Sequence, residues 1–216
     1  MDYGMMLSKL SGGMLTTIAI FGLTLLFSMP LGMIVAFGRM SKNAVIRNLT
    51  KIYISVMRGT PLMLQIMVVY FGRYYLFGIQ ITSSYRFIAV IIAFALNYAA
   101  YFAEIYRGGI ESMPAGQYEA ANLLGYTKRQ TFFRIILPQV IKRIIPSVTN
   151  EIITLVKDTS LAMAIAVSEM FTIAKALASA STSMIPYVSA GIFYYVFNFL
   201  VAWVMEKVEK KLNYYR

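Results

Sequence analysis

The 216-residue sequence contains no cysteine and no histidine. Disulfides, thiolate metal sites and imidazole acid–base chemistry are therefore excluded, and the redox compartment leaves no trace in it. Charge is scarce as well: 13% of residues are charged, against about 25% in soluble domains, and acids are outnumbered 9 to 20 by Lys and Arg. The resulting net charge of +11 falls in short clusters between apolar runs rather than along one face, which points to membrane topology and away from nucleic acid. No fixed-period repeat, low-complexity tract or long soluble stretch divides the chain, so a single membrane domain over residues 1–216 is expected. The opening segment MDYGMMLSKLSGG has neither a basic n-region nor a small-residue cleavage site, and the first apolar run is expected to be retained.

What is present is hydrocarbon. Hydrophobic residues make up 59% of the chain and the mean hydropathy is +0.66. Five runs reach the roughly 20 residues that a helix needs to cross a bilayer, near 15–37, 52–71, 86–104, 144–167 and 187–205. The fold class expected is all-α: a polytopic membrane protein of five transmembrane helices. Gly22, Pro30 and Gly32 in the first run, and Gly59 and Pro61 in the second, mark sites for kinks. Arg39, Lys42, Arg47, Lys51 and Arg58 cluster on one side. So do Arg107, Lys128, Arg129, Arg134, Lys142 and Arg143, and the tail residues Lys207, Lys210, Lys211 and Arg216. The other side carries Lys9, Arg73, Arg86 and Lys175. The positive-inside rule then puts the N-terminus outside and the C-terminus in the cytoplasm.

The cytoplasmic segment near 105–138 holds a double helix. Pro114 suits a first turn and Gly125 a C-terminal cap, which bounds one helix at about 114–124. Thr127 and Gln130 form a T-x-x-Q capping box that opens a second helix, expected to stop at Pro138. Ala120, Ala121 and Gly125 leave a low-relief surface edged by the charge of Glu119, a shape suited to docking in a partner's groove. An ordinary amphipathic interfacial loop has the same spacing.

Ionisable groups at bilayer depth are costly and default to functional roles. Glu151 and Asp158 stand seven residues apart with Thr154 between them, so they share a helix face about 10 Å apart along the axis. Asp158 falls near the middle of its run and is followed by Thr159 and Ser160. An ion pair with Lys157 or a neighbouring Arg is the plain reading of Asp158, and a site for a cation the sharper one. Asn97, Tyr101 and Glu104 recur at helical spacing, as interhelical hydrogen-bonding residues or as ligand contacts, with Glu104 and Arg107 a boundary ion pair. Arg58, Thr60 and Gln65 surround Pro61, where a break would open backbone groups to a cavity. The 15 methionines and the aromatic runs read as lipid-facing packing and interfacial belts, and the lysine-rich tail as an anchor to anionic headgroups.

Glu119, Ala120, Ala121, Gly125, Ile135, Leu137 and Pro138 match every position of EAA-x3-G-x9-I-x-L-P, and the chain thereby resembles the permease subunits of binding-protein-dependent ABC importers. RGTPLMLQIMVVYFG (58–72), AEIYRGGIESMPAGQYEAA (103–121) and VKDTSLAMAIAVSEM (156–170) look like the branch that carries polar amino acids, and the likeness spans about residues 12–212. The resemblance implies a type I importer-like fold in which the double helix is the coupling helix, with Glu119, Ala120, Ala121 and Gly125 seated in a cytoplasmic ATPase. It implies two such ATPase subunits, a second permease copy or similar subunit, and an extracytoplasmic solute-binding protein in a bacterial cell membrane. The chain has no G-x-x-x-x-G-K-[ST] phosphate loop, so ATP and Mg belong on the partner and no cofactor on this chain.

Within such a carrier Glu151, Asp158, Asn97, Thr154, Ser160 and Gln65 are the candidate substrate contacts. Two acids exceed what one substrate ammonium needs, which favours a cationic side chain such as arginine, lysine or histidine over glutamate. The alternative is an ion-coupled secondary transporter with proton or sodium sites at Glu151 and Asp158, against which the cytoplasmic plug argues. An intramembrane enzyme is disfavoured by the lack of a nucleophile and base pair.

Overall fold

A computed structural model of the chain describes residues 3–212, and every element among them is helical. The first helix, α1, runs from Tyr3 to Arg39 and carries Pro30 in its interior. Its buried face recurs every three or four positions, with small residues at Gly13, Thr17, Thr24, Ser28, Gly32 and Ala36 and Ile20 between Thr17 and Thr24. Gly13 and Thr17 meet Met170 and Ile173 later in the chain, and the rest of the face lies against α4, Tyr85–Glu111, whose own buried residues include Ala89, Ala93, Ala99, Ala100 and Ala103. A Cβ at Gly32 would stand 2.8 Å from Phe102 Cβ and 3.1 Å from the Ala99 carbonyl oxygen, so only glycine permits this approach. Lipid tails are as apolar as leucine, so close backbone packing has to do what hydrophobic burial does in water. Leu15, Leu26 and Ile34 cover the other face of α1 and are exposed.

The second apolar run, expected as one helix over 52–71, is two. Helix α2 spans Ala44–Gly59 and α3 spans Leu62–Phe77, and they bend by 111° at the break. Pro61 supplies no N–H and pushes the residue before it out of the helical region; Thr60 has φ −122° and ψ 148°. The run expected over 144–167 is likewise interrupted. Helix α7, Leu137–Asp158, ends where the middle of that run was placed. A 3₁₀ segment follows over Thr159–Ile165, and Ala166 turns left-handed at φ 55°. Helix α8, Met170–Ser181, then departs at 59°, and α9, Ile185–Leu212, closes the described chain. Asp158 is thus the last residue of a helix, not the centre of one.

On the cytoplasmic side of the expected topology, α5 runs Ala115–Leu123 behind Pro114, and Gly125 adopts φ 78°, as its capping role requires. Thr127 and Gln130 form the reciprocal capping box at the start of the short α6, Lys128–Gln130. The helix does not stop at Pro138. It widens to π geometry over Thr131–Ile136 and continues as α7, with Pro138 in the first turn of that helix. In a regular α-helix the proline ring would meet the carbonyl four residues back; the wider π turn moves that carbonyl aside.

Among the described residues α1, α4 and α9 are long and apolar enough to cross a membrane alone; each bent pair counted as one crossing brings the number to five. The boundary pair is formed, with Arg107 Nη2 2.6 Å from Glu104 Oε2 and Glu111 on the other side of the same guanidinium. In the tail, Lys207 lies 3.6 Å over the Trp203 ring and Lys210 pairs with Glu206, while Arg216 falls outside the described residues.

Candidate functional site

The break between α2 and α3 frees the Met57 carbonyl, which in a continuous helix would accept the N–H that Pro61 lacks. Two of the candidate residues fill that vacancy. Gln65 Nε2 donates to Met57 O at 2.9 Å and to Thr60 Oγ1 at 2.8 Å, and Asn97 Nδ2 donates to Met57 O at 2.9 Å and to Gln65 Oε1 at 3.0 Å. Tyr53 adds a bond from its hydroxyl to the Leu96 carbonyl at 2.5 Å. The joint is therefore pinned to the middle of α4 by Asn97 and Tyr53, while Gln65 braces it from α3.

Beside this joint the charged groups converge. Arg58 sits over the Tyr101 ring, 5.1 Å from its centroid, and Tyr101 packs against Tyr98 at 6.2 Å. The Tyr98 hydroxyl donates to Asp158 Oδ2 at 2.7 Å. Glu151 is half-buried and lies within the fields of both Arg58 and Asp158. Among the described residues no Lys or Arg is in ion-pair contact with Glu151 or Asp158; Lys157, next to Asp158 in sequence, is exposed instead. Thr154, on the helix face between the two acids, is exposed. Ser160 turns inward on its own chain, donating to the Lys157 carbonyl at 2.8 Å. The geometry brings Glu151, Asp158, Arg58 and the two tyrosines together. Gln65 and Asn97 stand at the neighbouring joint, and the Ser160 hydroxyl is engaged locally.

Reading the sequence for polar periodicity passed over Tyr98, because it lies one residue off the 97/101/104 stripe and counts as apolar. It also passed over Glu169, whose carboxylate is fully buried. That carboxylate accepts from Phe171 N and Thr172 N at 2.7 Å, from Thr172 Oγ1 at 2.8 Å and from the Tyr194 hydroxyl at 3.0 Å. It caps α8 and ties it to α9, while Thr17 of α1 accepts from Met170 N at 3.3 Å. The available signal was an acid immediately ahead of a helical run.

The helix pair α5 and α6 forms a second surface. Ala121 is buried, whereas Glu119, Ala120 and Gly125 are exposed. Leu123 and Leu124 project beside them, 88% and 75% exposed, with Tyr118 and Phe133 nearby in the chain and also exposed. Together these side chains make an exposed apolar patch outside the runs of membrane-spanning length. On the flank of α5, Tyr118, Glu119, Asn122, Tyr126, Lys128, Thr131 and Phe132 line an open cavity of about 520 Å³.

Comparison with known proteins places this geometry. The family model described as the binding-protein-dependent transport system inner membrane component matches residues 28–214. Over 208 residues the chain is 38% identical to the L-cystine transport system permease protein TcyB of Bacillus subtilis (strain 168), covering 95% of this chain and 87% of that protein. It is 34% identical over 201 residues to the putative glutamine transport system permease protein GlnP of Rickettsia bellii (strain RML369-C), covering 93% and 91%. Among solved structures, an amino acid ABC transporter crystallised with histidines superposes with a TM-score of 0.87 at 30% identity, covering 98% of this chain and 99% of that one.

Proposed function

From the premise that this chain belongs to the inner membrane components of binding-protein-dependent transport systems, and is the permease subunit of an amino acid ABC importer, we propose that its solute is a cationic amino acid. The observation that carries the proposal is the pair Glu151 and Asp158. The two acids share one face of α7, and no Lys or Arg among the described residues is in ion-pair contact with either. Tyr98 occupies one Asp158 oxygen and orients the carboxylate, while the other oxygen accepts no hydrogen bond from the described residues. Two acids of this kind in a site of low dielectric attract a side-chain guanidinium, ammonium or imidazolium and repel a side-chain carboxylate. The solved relative with histidines is in keeping with such a solute, and the cystine and glutamine systems place other amino acids on the same scaffold.

In this reading the chain does no bond chemistry. A second copy completes the passage, an extracytoplasmic binding protein delivers the amino acid, and two cytoplasmic subunits bind ATP and Mg. The exposed surface of Glu119, Ala120, Gly125 and Leu123 seats in those subunits, and closure of the nucleotide dimer moves the passage between outward-open and inward-open states. The N-terminus lies outside and the C-terminus in the cytoplasm, as the distribution of Lys and Arg requires.

The test is reconstitution of the chain with its ATPase and binding protein in nanodiscs, measuring which amino acids stimulate hydrolysis and, in proteoliposomes, which are taken up. Glu151→Lys and Asp158→Lys are expected to lower uptake of arginine by about tenfold or more relative to glutamine, the size of one lost charge-assisted contact. Normal arginine uptake by both variants overturns the assignment.

A further inference from the structure

Helix α5 packs on the π segment, and its hydrogen bond to α7 among the described residues is a single side-chain pair. Gln139 Nε2 donates to Gln117 Oε1 at 2.8 Å, and to the Ile135 carbonyl behind it at 2.8 Å. One turn further along α7, Arg143 Nη1 donates to the Ser112 carbonyl at 2.7 Å and to Ser112 Oγ at 3.1 Å, at the corner where α4 gives way to α5. Met113, Pro114, Gln117, Gln139 and Arg143 line a cavity of about 260 Å³. The bonds therefore bridge a cleft and do not merely accompany close packing.

The covalent route from α5 to α7 is poorly suited to carrying a push. It passes the left-handed Gly125, the three-residue α6 and six residues of π helix, where the regular i→i−4 ladder is interrupted. Displacement of α5 along this path is taken up in the joints. The side-chain bridge bypasses them, entering α7 in its first turn, about 18 Å along the helix axis from Glu151.

We propose that Gln139, bonded to Gln117 and reinforced by Arg143 on Ser112, is a positioning strap that delivers the movement of α5 to α7 and so to Glu151 and Asp158. The proposal rests on the importer reading above. Breaking the strap leaves the ATPase seated on α5 and leaves the substrate acids in place, but separates hydrolysis from solute movement.

The experiment uses the full complex with ATPase and binding protein in proteoliposomes, reading arginine imported per ATP hydrolysed. Gln139→Leu combined with Arg143→Met removes both arms and is expected to keep the ATPase bound and active while uptake per ATP falls about tenfold or more, since a single internal hydrogen bond is worth up to about tenfold. Gln117→Glu, which keeps the acceptor, retains the wild-type ratio. The chain has no cysteine, so Gln117→Cys with Gln139→Cys forms a unique pair; uptake per ATP is low when the thiols are free and recovers when a short bis-maleimide bridges them. A merely structural role does not predict that recovery. If wild type couples hydrolysis to uptake and the leucine–methionine variant does so within about twofold, or if bridging restores nothing, the strap is wrong and the importer reading stands. If wild type itself shows no ATP-driven uptake, the importer reading falls and takes the strap with it.

Discussion

Glu169 shows how much a single side chain can hold. Its two oxygens take two of the free N–H groups at the start of α8, a threonine hydroxyl and the Tyr194 hydroxyl, with no exposure to the surroundings. Glu169→Gln would replace one acceptor oxygen with an NH₂ facing a backbone donor, so a loss of about 2 kcal/mol is expected. It should appear as a lower thermal midpoint in detergent, and a midpoint equal to wild type would refute the capping role. At this scale the sequence was partly legible. Glu151 and Asp158 stood out because acids are rare in apolar runs. Tyr98 did not, since a tyrosine in such a run looks the same whether it meets lipid or a carboxylate. Ser160 looked available and is engaged with its own helix turn, a choice made by the 3₁₀ geometry after Asp158.

Elements were visible where their signals are local. Thr127 with Gln130, Pro114 and Gly125 each set a boundary within a few residues, and the structure places caps at all of them. Breaks inside apolar runs were harder. Hydropathy over 52–71 and 144–167 is continuous across both, because a bend changes no side chain's polarity. Pro61 marked the first break but neither its 111° angle nor the donation of Asn97 and Gln65 to the freed carbonyl. Asn97→Leu removes one of the two donors to the Met57 carbonyl and leaves Gln65 Oε1 without the donor it has in the wild type. The expected cost is about 1–3 kcal/mol, with a looser joint, measurable as faster proteolysis or cysteine labelling near Thr60. Unchanged labelling would count against the pinning role. Pro138 misled in the opposite direction: a residue that normally ends a helix is carried through by a π turn.

For the molecule as a whole, the exposed apolar surface divides into two kinds. The outward faces of α1, α3 and α9 lie in the runs expected to meet lipid, whereas Leu123 and Leu124 lie between clusters of Lys and Arg on the cytoplasmic side of the proposed topology. Leu123→Glu should leave the isolated chain's stability within about 0.5 kcal/mol, because the side chain is 88% exposed. It should weaken association with the ATPase subunit about tenfold or more if the residue anchors that contact. Affinity of the ATPase for nanodisc-held chain measures this, and wild-type affinity would remove Leu123 from the docking surface.

The sequence alone determined that the protein is helical, that it lives in a membrane, where its capped double helix lies in the chain and which family it resembles. All of these rest on composition, or on residues close together in the chain. Only the tertiary structure decided that Asp158 meets Tyr98, sixty positions away, that Gln65 and Asn97 serve a broken helix, and that Glu169 joins α8 to α9. Those pairings follow from how each helix is rotated about its axis. That rotation is set by which small-residue face of one helix fits another, a property of two surfaces together that neither segment carries by itself.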